Sequence, residues 1–158
     1  WISDKIKSGA LITQLVFIGM IVAVCGVIFF LPHNGEGGNF WGFFTCFLAL
    51  FALTGIGNGS TFMQVPVIFL NMHQKFAEEG KVSEEQARLD ATKEGAAVIG
   101  FTAAFAAYGG FFIPKSYGTS IDLTGSVNAA LIGFIVFYAI CAALNWWYYT
   151  RKGAEAKC

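Results

Sequence analysis

The stretch Gly100-Phe-Thr-Ala-Ala-Phe-Ala-Ala-Tyr-Gly-Gly-Phe-Phe-Ile-Pro114 guides the interpretation of the whole chain. It carries no charge, and it holds three glycines and four alanines before its terminal proline. Such a segment is too apolar for a solvated loop and too rich in small residues for an ordinary core helix. We interpret it as a membrane-spanning helix whose small residues let other backbones, and a small solute, approach closely.

The composition around this stretch is that of a membrane protein. Of the 158 residues, 56% are hydrophobic and 13% are charged, about half the charged share of a soluble domain. The net charge is zero, so nothing favours nucleic-acid binding. Four charge-free runs lie between Ser8 and Gly35, Gly37 and Gln74, Gly95 and Pro114, and Leu123 and Thr150. Each exceeds or approaches the roughly 20 residues that a spanning helix needs.

These runs predict an all-α membrane protein with four transmembrane helices, because helices pair every backbone group internally in hydrocarbon. The predicted spans are 10–31, 40–69, 95–114 and 124–149. They are joined by a cytoplasmic loop over 1–9, a cytoplasmic loop with a short helix over 71–94, and a cytoplasmic tail over 150–158. Pro32 and Pro114 end helices, Lys115 to Asp122 forms a turn, and Ser83 with Gln86 forms a capping box.

The positive charges predict the orientation. Nine of the 10 lysines and arginines fall on one side of the predicted spans, and only Lys115 falls on the other. By the positive-inside rule, both termini and the 71–94 loop are then cytoplasmic. Trp146-Trp-Tyr-Tyr149 is interpreted as an aromatic belt at the cytoplasmic interface.

Small residues cluster in the second and third helices. Helix two has Gly55 and Gly59 as a GxxxG pair, and helix three has small residues at three- and four-residue intervals. The latter are Ala96, Gly100, Ala103, Ala104, Ala107 and Gly110. We therefore expect helices two and three inside a bundle and helices one and four toward lipid.

Two interpretations of these small residues remain open. They either only pack helices, or they also line a translocation path. Polar residues beside the glycines favour the path, because polar side chains at membrane depth need partners or water. These are Asn58, Ser60, Thr61, Gln64 and Tyr108.

Several chemistries are not indicated. The cysteines, Cys25, Cys46, Cys141 and Cys158, lack metal-ligand spacing and are interpreted as small buried hydrophobes. His33 and His73 are assigned to solvated loops. The sequence shows no catalytic triad, no phosphate-binding loop and no acidic or basic residue inside a span. We therefore expect no enzyme activity, no cofactor and no metal.

Several motifs resemble the nitrate/nitrite porter family (NarK type) of the major facilitator superfamily. They are Gly55-Ile-Gly-Asn-Gly-Ser-Thr-Phe62 with Val65-Pro-Val-Ile-Phe69, Gly109-Gly-Phe-Phe-Ile-Pro-Lys115 with Leu123-Thr-Gly-Ser126, and Trp1-Ile-Ser-Asp-Lys-Ile-Lys-Ser-Gly9. The resemblance implies that the four helices are the ninth to twelfth of a twelve-helix fold, with the tenth and eleventh lining the central cavity. The stretch from Gly100 corresponds to the second nitrate signature of the family.

The resemblance also implies a function. The chain is expected to be the C-terminal part of a secondary transporter that exchanges nitrate and nitrite across the bacterial inner membrane by alternating access. Its partners are those two anions, membrane lipid and the remaining helices of the transporter. The substrate-path residues are Gly57, Asn58, Gly59, Ser60, Gly100, Ala104, Tyr108, Gly109 and Gly110.

One departure from the family concerns the residues that bind the anion. The arginines that bind the anion in the family lie on helices that this sequence lacks, and a buried anion needs a cationic partner. Since no predicted span supplies that cation, this chain alone is not expected to transport. We expect either a fragment of a longer protein, which the start at Trp1 rather than Met also favours, or a chain that works with a partner supplying the other helices. The alternatives are a major facilitator for another small solute and a non-transport membrane subunit.

Overall fold

The computed structural model describes residues 9–32 and 37–151, and every regular element within these ranges is helical. The elements are α1 (Gly9–Phe30), α2 (Phe40–Glu78), α3 (Glu84–Thr124), α4 (Asn128–Asn145) and a π-helical turn (Trp146–Thr150) that continues α4. Four helices in these ranges are long and apolar enough to cross a membrane. The prediction of an all-α protein with four spans is confirmed.

The connection between α2 and α3 is much shorter than the loop predicted over 71–94. α2 continues to Glu78 and α3 begins at Glu84, so most of this segment is helical. Ser83 caps α3 by accepting a hydrogen bond from the Gln86 backbone N–H at 3.2 Å. The side chain of Gln86 binds Asp90 at 2.9 Å instead of returning to Ser83. Only the first half of the predicted capping box is therefore present.

The end of α3 differs from the prediction. The helix passes through Pro114 and continues to Thr124, so the predicted turn over Lys115–Asp122 is wrong. Proline removes one backbone donor, but spanning helices tolerate this loss where local groups adjust. The helix ends at Gly125, which adopts a left-handed conformation with φ 71° and donates its N–H to Ile121 O at 2.8 Å. Glycine makes that conformation accessible without a steric penalty.

α1 is the central helix of the described chain. Val24 and Val27 of α1 are buried with Leu131 of α4, and residues of α2 pack against the same cluster. A second cluster joins α1 to α2 and α4 through Val16 and Met20. The expectation that α1 lies outside and that α2 and α3 lie inside is therefore wrong for the packing within this chain. The reason is that α1 lies between α2 and α4.

Glycines bring α1 and α2 together, but they are not the predicted pair. A Cβ at Gly57 would lie 3.0 Å from Val16 Cγ1, and one at Gly19 would lie 3.1 Å from Leu53 Cδ1. Gly55 and Gly59 have no neighbouring atom within 4 Å of such a Cβ in the described structure. Gly57, which lies between the two predicted residues, therefore makes the close contact.

α3 packs against α2 near the start of α3. Ala87, Ala91 and Gly95 are buried in this contact. His73 is also buried there, at 8% exposed, and its Nε2 lies 3.0 Å from Glu94 Oε2. The assignment of His73 to a solvated loop is wrong, because α2 extends past it and turns the imidazole toward α3.

Other expectations concern cysteines and the chain ends. Cys25 is exposed within the described chain, whereas Cys46 and Cys141 are partly exposed, and all three are free thiols. The expectation of burial therefore fails for Cys25. His33, Cys158, residues 1–8 of the predicted first loop and residues 152–158 of the predicted tail lie outside the described residues.

Candidate functional site

The small and polar stretch of α2 divides between two faces of the helix. Ser60 is 3% exposed and faces α1, where it donates a hydrogen bond to Gly9 O at 3.0 Å. Thr13 donates to the Ser60 hydroxyl at 3.2 Å, and Gln64 Nε2 donates to the Thr13 hydroxyl at 2.8 Å. These groups form a buried hydrogen-bonded chain between two helices. Two predicted path residues, Gly57 and Ser60, therefore face α1.

A second face of α2 is polar and open. Thr54, Asn58 and Thr61 are exposed in the described chain and occur at positions i, i+4 and i+7, which share one side of a helix. The hydroxyls of Thr54 and Thr61 donate to the carbonyls of Leu50 and Gly57 at 2.8 Å and 2.9 Å. We call Thr54, Asn58 and Thr61 the polar stripe. Its central amide makes no side-chain hydrogen bond to any other described residue.

The polar stripe borders a groove between α1 and α2. The groove has a volume of about 310 Å³. Its α1 wall is formed by Thr13, Val16, Phe17 and Met20, and its α2 wall by Thr54, Gly55, Gly57, Asn58 and Thr61. The site therefore combines apolar walls with a few polar groups, as small-molecule sites commonly do.

The predicted path residues of α3 are largely uncovered. Gly100, Ala104, Tyr108 and Gly110 are exposed, and Gly109 is partly exposed. Nothing in the described structure lies within 4 Å of a Cβ built at Gly100 or Gly110. Within residues 9–32 and 37–151, no hydrogen bond or aromatic contact joins these α3 residues to the polar stripe. The predicted path residues of α3 and the polar stripe of α2 therefore lie on separate, open helix faces.

Another open face of α3 is aromatic. Phe101, Phe105, Tyr108 and Phe112 recur at helical spacing and are between 62% and 68% exposed. The rings of Phe101 and Phe105 are 4.8 Å apart. In the described chain α3 thus presents small residues on one side and aromatic residues on another, with neither side covered.

α4 makes a polar contact that the sequence-based expectations do not include. Asn145 Nδ2 donates to Ala10 O at 3.1 Å and to Gln14 Oε1 at 2.9 Å, and it also lies 3.3 Å from Thr150 Oγ1. The π-helical turn that follows places Thr150 beside this amide. A single amide near the end of an otherwise apolar run was the available signal, because such a group needs a partner in a membrane.

The aromatic residues after Asn145 carry one cation contact. The Arg151 guanidinium lies 4.2 Å from the centroid of the Trp147 ring, a distance at which a cation and an aromatic face attract. Trp146, Trp147 and Tyr148 are about half exposed. This arrangement suits a membrane interface, although the side of the membrane stays a prediction.

The arrangement supplies uncharged hydrogen-bond donors and close backbone approach, but no charge. The runs predicted as spans contain no lysine or arginine. Among the described residues, no group of three or more histidine, cysteine, aspartate or glutamate side chains is placed to hold a metal ion. An anion held here therefore requires a cation from elsewhere.

Comparisons with known proteins identify relatives along nearly the whole chain. The nitrate/nitrite transporter NarU of Escherichia coli (strain K12) is 41% identical over 156 residues, which are 99% of this chain and 33% of the relative. The probable nitrate/nitrite antiporter NarK2 of Thermus thermophilus is 34% identical over 157 residues, covering 99% of this chain and 30% of the relative. No family model matches.

The chain thus spans about a third of the length of the curated relatives it matches. The resemblance to nitrate/nitrite porters is confirmed by these matches. These relatives are named as transporters or antiporters, and none of these names describes an enzyme.

Proposed function

We propose that this chain, a homologue of nitrate/nitrite transporters over nearly its whole length, forms four spanning helices of a secondary transporter for nitrate and nitrite. The transporter exchanges the two anions across the bacterial inner membrane by alternating access between two halves. The observation that carries the proposal is the sequence identity to relatives named for these two anions. In this proposal α1 to α4 are the ninth to twelfth helices of a twelve-helix major facilitator fold.

The remaining helices of the same transporter complete the site. An anion in a low-dielectric cavity needs a cation, and the spans of this chain contain none. The open faces of α3 offer surfaces for those helices, since close packing in a membrane favours small residues such as Gly100 and Gly110. Exposed aliphatic side chains elsewhere, such as Leu15 and Val22 on α1, contact lipid.

The path residues divide into two roles under this proposal. Asn58 and Gly59 on α2, with Gly100, Ala104, Tyr108, Gly109 and Gly110 on α3, border the anion path. Gly57 and Ser60 support the path indirectly, because they attach α2 to α1. The lack of acidic residues in the spans favours anion exchange over proton coupling. Both termini and the α2–α3 connection are cytoplasmic in this arrangement.

The test is Gly110→Leu in the complete transporter, reconstituted in proteoliposomes. A leucine on the small face of α3 blocks its close approach to the other half, so nitrate/nitrite exchange falls by at least about tenfold. Gly133→Leu on α4 is the matched control, because Gly133 is also exposed with open space around it. Exchange that is unchanged by Gly110→Leu contradicts a role for α3 in transport.

A further inference from the structure

Asn58, the central residue of the polar stripe, differs from the polar residues around it on α2 because its side chain makes no hydrogen bond to a described residue. We propose that Asn58 determines specificity by donating a side-chain N–H to an oxygen of the transported oxyanion. This inference rests on the proposed transport function. It assigns one atom of this chain to the substrate.

The depth of Asn58 makes an unpaired amide costly. The residue lies near the middle of α2, in a run without charge between Gly37 and Gln74. A polar group in hydrocarbon must be paired or must face a water-filled cavity. Asn58 is exposed, and its side chain has no hydrogen-bond partner among the described residues. Its partner therefore lies beyond this part of the chain.

Within the polar stripe, only the side-chain N–H groups of Asn58 remain free to donate a hydrogen bond. Thr54 and Thr61 have one hydroxyl proton each, and both protons are donated to carbonyls of the same helix. An asparagine carries two N–H donors and one carbonyl acceptor. Gly55 and Gly59 leave open space around the same part of the helix, so a small solute has room to approach.

The other polar residues of this stretch cannot take the same role. Ser60 and Gln64 are buried at 3% and 8% exposed, and both belong to the hydrogen-bonded chain with Thr13. The fold therefore gives different environments to the side-chain amides of Asn58 and Gln64, which lie six positions apart in the sequence. Gln64 is used to join helices, whereas Asn58 is left open.

The chemistry of an amide donor suits a planar oxyanion. Nitrate and nitrite have oxygen atoms in one plane that accept hydrogen bonds, and N–H donors to a charged acceptor form stronger bonds than neutral pairs do. A cation on another helix supplies attraction for any anion. A directed N–H adds discrimination, because a site built to hydrogen-bond its substrate rejects analogues that cannot accept the bond.

The experiment compares Asn58→Leu with Asn71→Leu in the complete transporter. Asn71 is an exposed asparagine on the same helix, nearer its C-terminal end, and its side chain also makes no hydrogen bond to described residues. Nitrate/nitrite exchange is measured in proteoliposomes over a range of nitrate concentrations. The thermal unfolding temperature of each purified variant is measured with and without nitrate.

The expected result is a rise of about tenfold in the KM for nitrate with Asn58→Leu, which corresponds to losing one hydrogen bond to a charged group. The unfolding temperature without nitrate stays unchanged, and the stabilisation by added nitrate shrinks. Asn71→Leu changes neither quantity. If leucine prevents folding, Asn58→Ala is used for the same measurements, since it removes the amide without adding bulk.

Two results overturn the inference. An unchanged KM shows that the amide does not contact the anion. A lower unfolding temperature without nitrate, together with an unchanged KM, shows that Asn58 instead joins α2 to another helix. Absence of nitrate-dependent exchange by the wild-type protein is a separate outcome, because it rejects the proposed function itself.

Discussion

Adjacent residues of α2 have opposite environments, and this contrast explains how the site is built. Ser60 is buried against α1, whereas Asn58 and Gly59 are exposed. A rotation of about 100° per residue is enough to separate them. Their proximity in the chain predicts a shared role for Asn58, Gly59 and Ser60. Residues on one face of a helix are instead three or four positions apart, as Thr54, Asn58 and Thr61 of the polar stripe are.

The buried hydrogen-bonded chain between α1 and α2 predicts a stability effect. Gln64→Leu removes the donor to Thr13 and lowers the free energy of unfolding by about 1 kcal/mol, the scale of one hydrogen bond between membrane helices. Gln74→Leu is the control, because Gln74 is an exposed glutamine on the same helix. Chemical unfolding of the purified variants in detergent measures both. Equal stability of the two variants contradicts a structural role for Gln64.

At the scale of a helix, α3 shows why proline is a weak marker of helix ends in membrane proteins. Pro114 and Lys115 follow the apolar stretch, and from the sequence they predict the end of the helix. The helix instead continues for ten more residues, from Pro114 to Thr124. The hydroxyls of Ser116 and Thr124 bond to nearby carbonyls of α3, and Gly125 supplies the left-handed turn.

This end of α3 predicts opposite effects for two glycines. Gly125→Ala forces a side chain into a left-handed conformation and costs about 1–2 kcal/mol of stability. Gly118→Ala lies within the helix, with open space around it, so it leaves stability unchanged or raises it by up to about 1 kcal/mol. Unfolding in detergent separates the two variants. A Gly125→Ala protein as stable as wild type contradicts the assigned helix end.

At the scale of the molecule, the four helices differ in how completely this chain covers them. α1 is held on two sides by polar contacts, through Ser60 of α2 and Asn145 of α4. α3 is anchored near its start by Ala91, Gly95 and the His73–Glu94 contact, whereas its middle is exposed. α1 therefore joins α2 to α4, and the exposed middle of α3 offers a surface to other helices.

The proposed orientation predicts a labelling pattern for the whole molecule. A cysteine-free background requires replacement by alanine of Cys25, Cys46, Cys141 and Cys158, together with every cysteine in the rest of the transporter. In spheroplasts, a membrane-impermeant maleimide labels Lys115→Cys directly, because this end of the helices faces outward. Lys81→Cys, in the connection between α2 and α3, is labelled only after the membrane is permeabilised. The reverse pattern contradicts the positive-inside assignment.

The sequence alone is sufficient to identify the class of protein. Long charge-free runs predict spanning helices because hydrocarbon excludes charge and requires paired backbone groups. The motifs around Gly55 and Gly109 indicated the related transporters. Neither inference depends on how the helices pack. Both therefore follow from local composition and order along the chain.

Only the tertiary structure decided which face of each helix is covered. It placed Ser60 and Gln64 against α1, left Asn58 open, buried His73 against Glu94, and made α1 the centre of the chain. In a membrane protein both lipid-facing and protein-facing sides are apolar, so hydrophobic periodicity does not reveal the buried face. That choice depends on the rotation of each helix relative to its neighbours, which becomes defined only when they pack together.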